Sequence, residues 1–232
     1  MRRLRYILVF LSIFFFSCKN QDTEYVCPPC NLPCDGLTFK SAGACPHCKM
    51  ELTTKKELEK SMPKPLNEIA FQQGSGKFAV ESAIDSSKTI VVHYHKPENF
   101  SKYSNTILIL PGAGRNGKDY RDAWVEASKK YGVLVLAMEF SESHYPGFWS
   151  YNLAGMITDV KIQNQSFAIN LNSSEWIFND FDRIFNAVKL KLDLNHDSYD
   201  MFGHSAGGQL LHRLALFKPN SKADRIVASN AG

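Results

Sequence analysis

The chain has 232 residues, 44% of them hydrophobic and 12% aromatic, enough to bury a sizeable core in one small module and one medium domain. Its formal net charge is +4, and Arg2, Arg3 and Arg5 account for most of that excess, so the charge gives no argument for a nucleic-acid partner. All six cysteines fall within the first 48 residues, which sets a thiol-rich N-terminal part against a thiol-free remainder.

The chain begins Met1-Arg2-Arg3-Leu4-Arg5, followed by an apolar stretch of eleven residues, 6–16, interrupted only by Ser12, and then Ser17-Cys18. Arginines ahead of a short apolar core predict a secretory signal, and eleven residues are too few to span a bilayer as a helix. Phe15-Phe16-Ser17-Cys18 resembles the lipobox of bacterial lipoproteins, with phenylalanine where leucine is commonest. That resemblance implies a signal peptide over 1–17, acylation of Cys18 and a tether over 18–26. It further implies anchoring to a membrane surface of the bacterial cell envelope, since two or three acyl chains hold a protein stably. An ordinary secreted protein and an uncleaved anchor remain the alternatives.

Past Cys18 the cysteines read Cys27-Pro-Pro-Cys30, Cys34 and Cys45-Pro-His-Cys48, with fourteen residues between the two C-x-x-C pairs. Two such knuckles bring four thiolates to one tetrahedral site, so the expected metal ligands are Cys27, Cys30, Cys45 and Cys48. Cys34 is then spare, and His47 or Asp35 can substitute. Structural disulfides and a redox-active Cys-Pro-His-Cys are the competing readings, although neither a thioredoxin-type strand before the pair nor a long helix after it is predicted. The run from Tyr25 to Leu52 resembles the short heavy-metal-binding domain of copper-handling and envelope proteins. It departs from that pattern at Cys30, where the family has histidine, and at Lys49, where it has glycine. The resemblance implies zinc or copper in a module spanning 27–52.

Residues 53–76 hold a charged run, Pro63-Lys-Pro65 and Gly74-Ser-Gly76, and read as a linker. From 77 to 232 strand and helix signals alternate. Strands are expected over 78–84, 89–95, 107–110, 133–137, 199–202 and 225–230. Helices are expected over 119–131, stopped by Gly132, over 175–191 and over 209–217. Such alternation predicts an α/β fold, a doubly wound and mostly parallel sheet with its site at the C-terminal edge of the strands.

Two glycine-rich turns carry the chemistry. Gly203-x-Ser205-x-Gly207 follows one strand and opens a helix, the position of a nucleophile elbow. Pro111-Gly112-Ala113-Gly114 follows an earlier strand about 90 residues upstream. A developing oxyanion needs two preorganised N–H donors, and Ala206 and Ala113 are the candidates. The same loop contains most of a phosphate-binding loop, Gly112-x-x-x-x-Gly117-Lys118, but Asp119 stands where a metal-binding hydroxyl is required. From about Lys77 onward the chain resembles the α/β-hydrolase fold, and its two turns resemble those of secreted esterases near polyhydroxybutyrate depolymerases and feruloyl esterases. The resemblance implies hydrolysis of a small or polymeric ester through an acyl-Ser205 intermediate. It would also place residues 141–174 over the site mouth, where His144, Tyr145, Phe148, Trp149 and Tyr151 are expected to line an acyl pocket or to pack.

In that fold the acid and base follow the serine. Here His212 lies two turns along the next helix, Asp224 precedes the last strand, and His204 leaves the turn in another direction. The chain halts after an apolar strand, so a fragment of a longer hydrolase is expected, with an inactive truncated product as the alternative. The second functional class is a membrane-anchored metal-binding lipoprotein whose hydrolase-like part is scaffold.

Overall fold

A computed structural model describes residues 24–28, 30, 34–35 and 37–232. The expected signal peptide and Cys18 lie outside the described residues. The chain divides into two compact units, one ending at Ser61 and the other starting at Met62.

The smaller unit is built on three two-residue strands, β1 (Tyr25–Val26), β2 (Thr38–Phe39) and β3 (Thr53–Thr54), antiparallel in the order β2-β1-β3. A short helix, α1 (Lys55–Ser61), follows directly. Thr54 and Glu57 start it reciprocally: the Glu57 N–H donates to Thr54 Oγ1 at 3.2 Å, and the Thr54 N–H donates to Glu57 Oε2 at 3.1 Å. The first part of the stretch read as a linker is therefore ordered onto the cysteine unit.

The larger unit holds β4 (Gly74–Glu81), β5 (Thr89–Lys96), β6 (Thr106–Leu110), β7 (Leu134–Glu139), β10 (Tyr199–His204) and β11 (Ala223–Ser229) in one sheet. Their order is β11-β10-β6-β7-β5-β4. The first four strands are mutually parallel, and β5 pairs antiparallel with both β7 and β4. A short helix, α4 (Gly147–Ser150), and a separate hairpin, β8 (Ile157–Lys161) and β9 (Ser166–Ile169), lie in the segment between β7 and α5 (Phe178–Leu192). The expected doubly wound, mostly parallel sheet is what the structure shows.

Side chains alternate across a strand with period two, and that alternation sorts this core. Leu108 and Leu110 of β6 and Leu134, Leu136 and Met138 of β7 face one layer, packed with Phe178, Phe181, Ile184, Phe185 and Val188 of α5. Leu210, Leu211 and Leu214 of α6 (Ala206–Phe217) join the same layer. Ile109, Val135 and Ala137 face the opposite side, against Tyr120, Trp124 and Phe202. Both faces are covered, which is why the central strands read as continuous apolar runs. Leu66 and Phe71 are also buried in the larger core, so the second part of the stretch read as a linker is built into this unit.

The helix expected over 119–131 is two helices, α2 (Gly117–Ala123) and α3 (Val125–Tyr131), broken at Trp124 with φ −99° and ψ 0°. The break seats the Trp124 ring 5.3 Å from that of Phe202, while buried Arg121 donates to the carbonyls of Tyr94 and Gly76. Gly132 ends α3 at φ 68°, as its glycine predicts.

Candidate functional site

Ser205 sits between the last residue of β10 and the first of α6, with φ 51° and ψ −115°. A non-glycine residue in that region carries about 1–3 kcal/mol of backbone strain, which the surrounding contacts must hold in place. Its N–H donates to the Ser229 carbonyl of β11 at 2.8 Å, and its own carbonyl accepts the Gln209 N–H at 2.9 Å. The two flanking glycines are required by close approach. A methyl group on Gly203 would lie 2.5 Å from the Gly207 carbonyl oxygen, and one on Gly207 would collide with the Leu110 and Pro111 carbonyls. The spacing Gly-x-Ser-x-Gly thus records a β10–α6 turn pressed against the end of β6.

The loop after β6 is brought to the serine. A methyl on Gly112 would lie 3.5 Å from Ser205 Cβ, 3.4 Å from His204 Nδ1 and 3.2 Å from Tyr120 Oη. Gly112 to Arg115 form a turn closed by the Arg115 N–H donating to the Gly112 carbonyl at 2.9 Å, and exposed Ala113 stands within it. Ala206, buried, begins α6, where backbone N–H groups have no intrahelical partner and the helix dipole is positive. Both expected oxyanion donors therefore belong to turns that meet at Ser205.

Three side chains hold this arrangement, of which Tyr120 and Arg115 carried no site signal in the sequence and Tyr151 was expected at the site mouth. Tyr120 Oη accepts the Gly112 N–H at 3.1 Å and donates to His204 Nδ1 at 2.6 Å, linking the loop to the elbow. Buried Arg115, at φ 52°, donates to the carbonyls of Phe140, Tyr145 and Gly147, pairs with Glu142 at 3.1 Å and lies over the Tyr151 ring. Tyr151 Oη donates to the Pro111 carbonyl at 2.7 Å, and burial pushes its phenol well above the ordinary range. The aromatic residues expected to line a pocket divide accordingly. Tyr145 and Tyr151 are buried packing, and His144 accepts the Thr89 N–H at 3.0 Å, while Phe148, stacked edge-on to Trp149, is exposed.

The candidate proton carriers do not reach the nucleophile. His204 points its Nδ1 at Tyr120, and His212 is exposed on α6. The register pairs Tyr199 with Ala223 and His204 with Ser229, so Asp224 lies on β11 at the end of the sheet remote from Ser205. Among the described residues no imidazole is hydrogen-bonded to Ser205.

In the smaller unit the thiols of Cys27, Cys34, Cys45 and Cys48 lie within 4.8 Å of one another. The four-thiol set thus contains Cys34 where Cys30 was expected. Cys30 sits instead in a second set with Cys27, Cys34 and Asp35, while His47 is exposed outside both. Hydrogen bonds from the Cys27 N–H to the Leu37 carbonyl and from the Leu37 N–H to the Cys34 carbonyl bring Cys34 inward. The Cys45 N–H donates to Met50, the Lys49 N–H returns to Cys45, and Lys49 adopts φ 65°. Lys49 occupies the position that is glycine in the heavy-metal-binding pattern, and its left-handed backbone explains why glycine suits that site.

Backbone donors tune these thiols. The Met50 N–H pulls Cys48 down to about 6, and the Cys48 N–H lowers Cys45. Burial pushes Cys27 and Cys34 up, because a thiolate there has lost its water, a cost that a coordinated cation removes. Cys27, Cys34, Cys45 and Cys48 are not joined in disulfides. Four convergent sulfurs are the donor set that soft or borderline cations such as zinc and copper prefer.

No family model and no curated protein matches the sequence. Among solved structures, poly(aspartic acid) hydrolase-1 from Sphingomonas sp. KT-1 is 30% identical with a TM-score of 0.61, over 69% of this chain and 58% of that one. The poly(3-hydroxybutyrate) depolymerase from Bordetella parapertussis is 24% identical with a TM-score of 0.59, over 68% and 52%. The chain thus spans somewhat over half the length of these structures. Its larger unit, with strand order, elbow and glycine loop in register with one another, carries the α/β-hydrolase fold.

Proposed function

We propose that the larger unit is a serine hydrolase of carboxylic esters, small or polymeric, acting through an acyl-Ser205 intermediate. The observation that carries the proposal is the strained Ser205 with the Gly112 turn against its Cβ. Ser205 Oγ attacks the acyl carbon, and the N–H groups of Ala206 and Ala113 take the developing oxyanion; collapse expels the alcohol and water later releases the acid. Attack requires a base for the serine proton. Among the described residues no imidazole is hydrogen-bonded to Ser205, and the chain spans just over half the length of its structural neighbours. The hydrolase named for poly(aspartic acid) and the depolymerase named for poly(3-hydroxybutyrate) support a polymer as one substrate class.

The decisive experiment is labelling of the full-length protein with a fluorophosphonate. Labelling and ester turnover are expected, and Ser205→Ala should abolish the first and reduce the second by on the order of a millionfold. Labelling that survives Ser205→Ala, or none in the full-length protein, sinks the reading.

The four-thiol cluster favours a second function alongside the first, a zinc- or copper-binding module; we propose separately, from Phe15-Phe16-Ser17-Cys18, that the chain is tethered to the bacterial envelope through acylated Cys18. Tethering predicts palmitate incorporation that is lost in Cys18→Ser. Incorporation unchanged by that substitution excludes the anchor.

A further inference from the structure

We propose that the cysteine unit holds two zinc ions rather than one, bridged by the thiolates of Cys27 and Cys34. The proposal rests on the metal-binding reading above and adds to it a nuclearity, a second site and two further ligands.

Two ligand sets converge in this unit, one of Cys27, Cys34, Cys45 and Cys48 and one of Cys27, Cys30, Cys34 and Asp35. Each keeps its ligand atoms within 4.8 Å, and each has the four donors that a tetrahedral ion requires. They share one edge. A zinc–sulfur bond of about 2.3 Å makes the edge of a tetrahedron about 3.8 Å long. Cys27 Sγ and Cys34 Sγ are 3.9 Å apart, close to one such edge, and a small closing of that edge lets the same pair of sulfurs bridge two ions. The remaining donors fall into two terminal pairs. Cys45 and Cys48 complete one ion, with Cys48 Sγ 3.3 Å from Cys27 Sγ. Cys30 and Asp35 complete the other, with Cys30 Sγ 3.5 Å from Cys34 Sγ. Asp35 Oδ1 is held there by the Cys30 N–H at 2.8 Å and lies 2.9 Å from Cys30 Sγ.

Charge favours the pair. One dication in the four-thiolate set already carries a net charge of −2, and a fifth thiolate and the Asp35 carboxylate beside it bring further negative charge. A second dication turns those two groups into ligands. Five thiolates and one carboxylate then balance against two zinc ions, with release of five thiol protons, and the net charge stays at −2. The carboxylate in the second set selects zinc(II) over copper(I), which prefers sulfur alone.

The test uses the whole chain, reduced and freed of metal, titrated with zinc(II) and counted by native mass spectrometry. Two ions per chain are expected, falling to one in Cys30→Ser and in Asp35→Ala, with the Cys45–Cys48 ion retained. Zinc X-ray absorption should show metal–metal scattering in the parent chain that disappears in both variants. One ion at saturation without such scattering overturns the second site while leaving a metal module. No bound ion overturns both, and two ions in all three proteins overturns the roles given to Cys30 and Asp35.

Discussion

The two units differ in what fills their interiors. In the smaller unit the buried cluster is Cys27, Cys34, Cys45 and Leu52, enclosed by three strands of two residues each. In the larger it is an aromatic and aliphatic layer in which Phe140, Phe178, Phe181 and Phe185 are fully buried. The smaller unit therefore has its candidate chemistry for a core, whereas half-buried Ser205 rides on a sheet whose core lies elsewhere. Fold and function are one quantity in the first unit and separable in the second. Fewer than about 40 residues seldom fold without metal or disulfides, which is the physical reason for the contrast.

The largest effect expected from this contrast is that of metal removal. Structural zinc contributes about 10–16 kcal/mol to such small modules. Chelation under reducing conditions should therefore abolish hydrogen-exchange protection over residues 24–61 and leave 62–232 protected as before. Protection of the cysteine unit that survives chelation would mean that its short strands and Leu52 suffice, and the contrast would break.

The converse change is Phe181→Ala. The ring is fully buried on α5 and meets Phe140 edge-on at 6.4 Å, so its loss leaves a cavity costing about 3–5 kcal/mol. The thermal transition of the larger unit should drop, with bound metal per chain unchanged. Metal content falling together with that transition would show the two units to be coupled.

Legibility followed the same division. Gly203, Gly207 and the glycines after β6 were readable because close backbone approach admits nothing larger, and the strands were readable because both sheet faces are covered. The thiol set was not. Spacing groups cysteines that are near in the chain, and it paired Cys27 with Cys30; which sulfurs converge depends on turns such as Cys34 to Leu37. Trp124 was read as one more apolar residue on a helical face, although its fit against Phe202 breaks the helix. Arg115 gave no signal because a charged residue in a glycine turn ordinarily faces water. Its burial depends on carbonyls some 25 to 32 residues away.

The smallest change sharpens the separability of site and fold in the larger unit. Tyr120→Phe removes one oxygen, the one that accepts the Gly112 N–H and donates to His204 Nδ1. The ring remains packed with Ile109, Val135 and Ala137, so the core is untouched. Two hydrogen bonds are lost at the seam between oxyanion loop and elbow, where the groups that lose them are partly open to water. A loosened seam misplaces the Ala113 N–H relative to Ser205 and weakens stabilisation of the oxyanion, an interaction made in the transition state. In the active full-length protein kcat should fall about tenfold to a hundredfold, equivalent to about 1–3 kcal/mol for the two hydrogen bonds at the seam, with KM and the melting transition nearly unchanged. A fall in melting temperature that accounts for the lost activity would make Tyr120 a structural residue. A rise in KM alone would place it in substrate binding, and either result would remove it as the positioning link between Gly112 and Ser205.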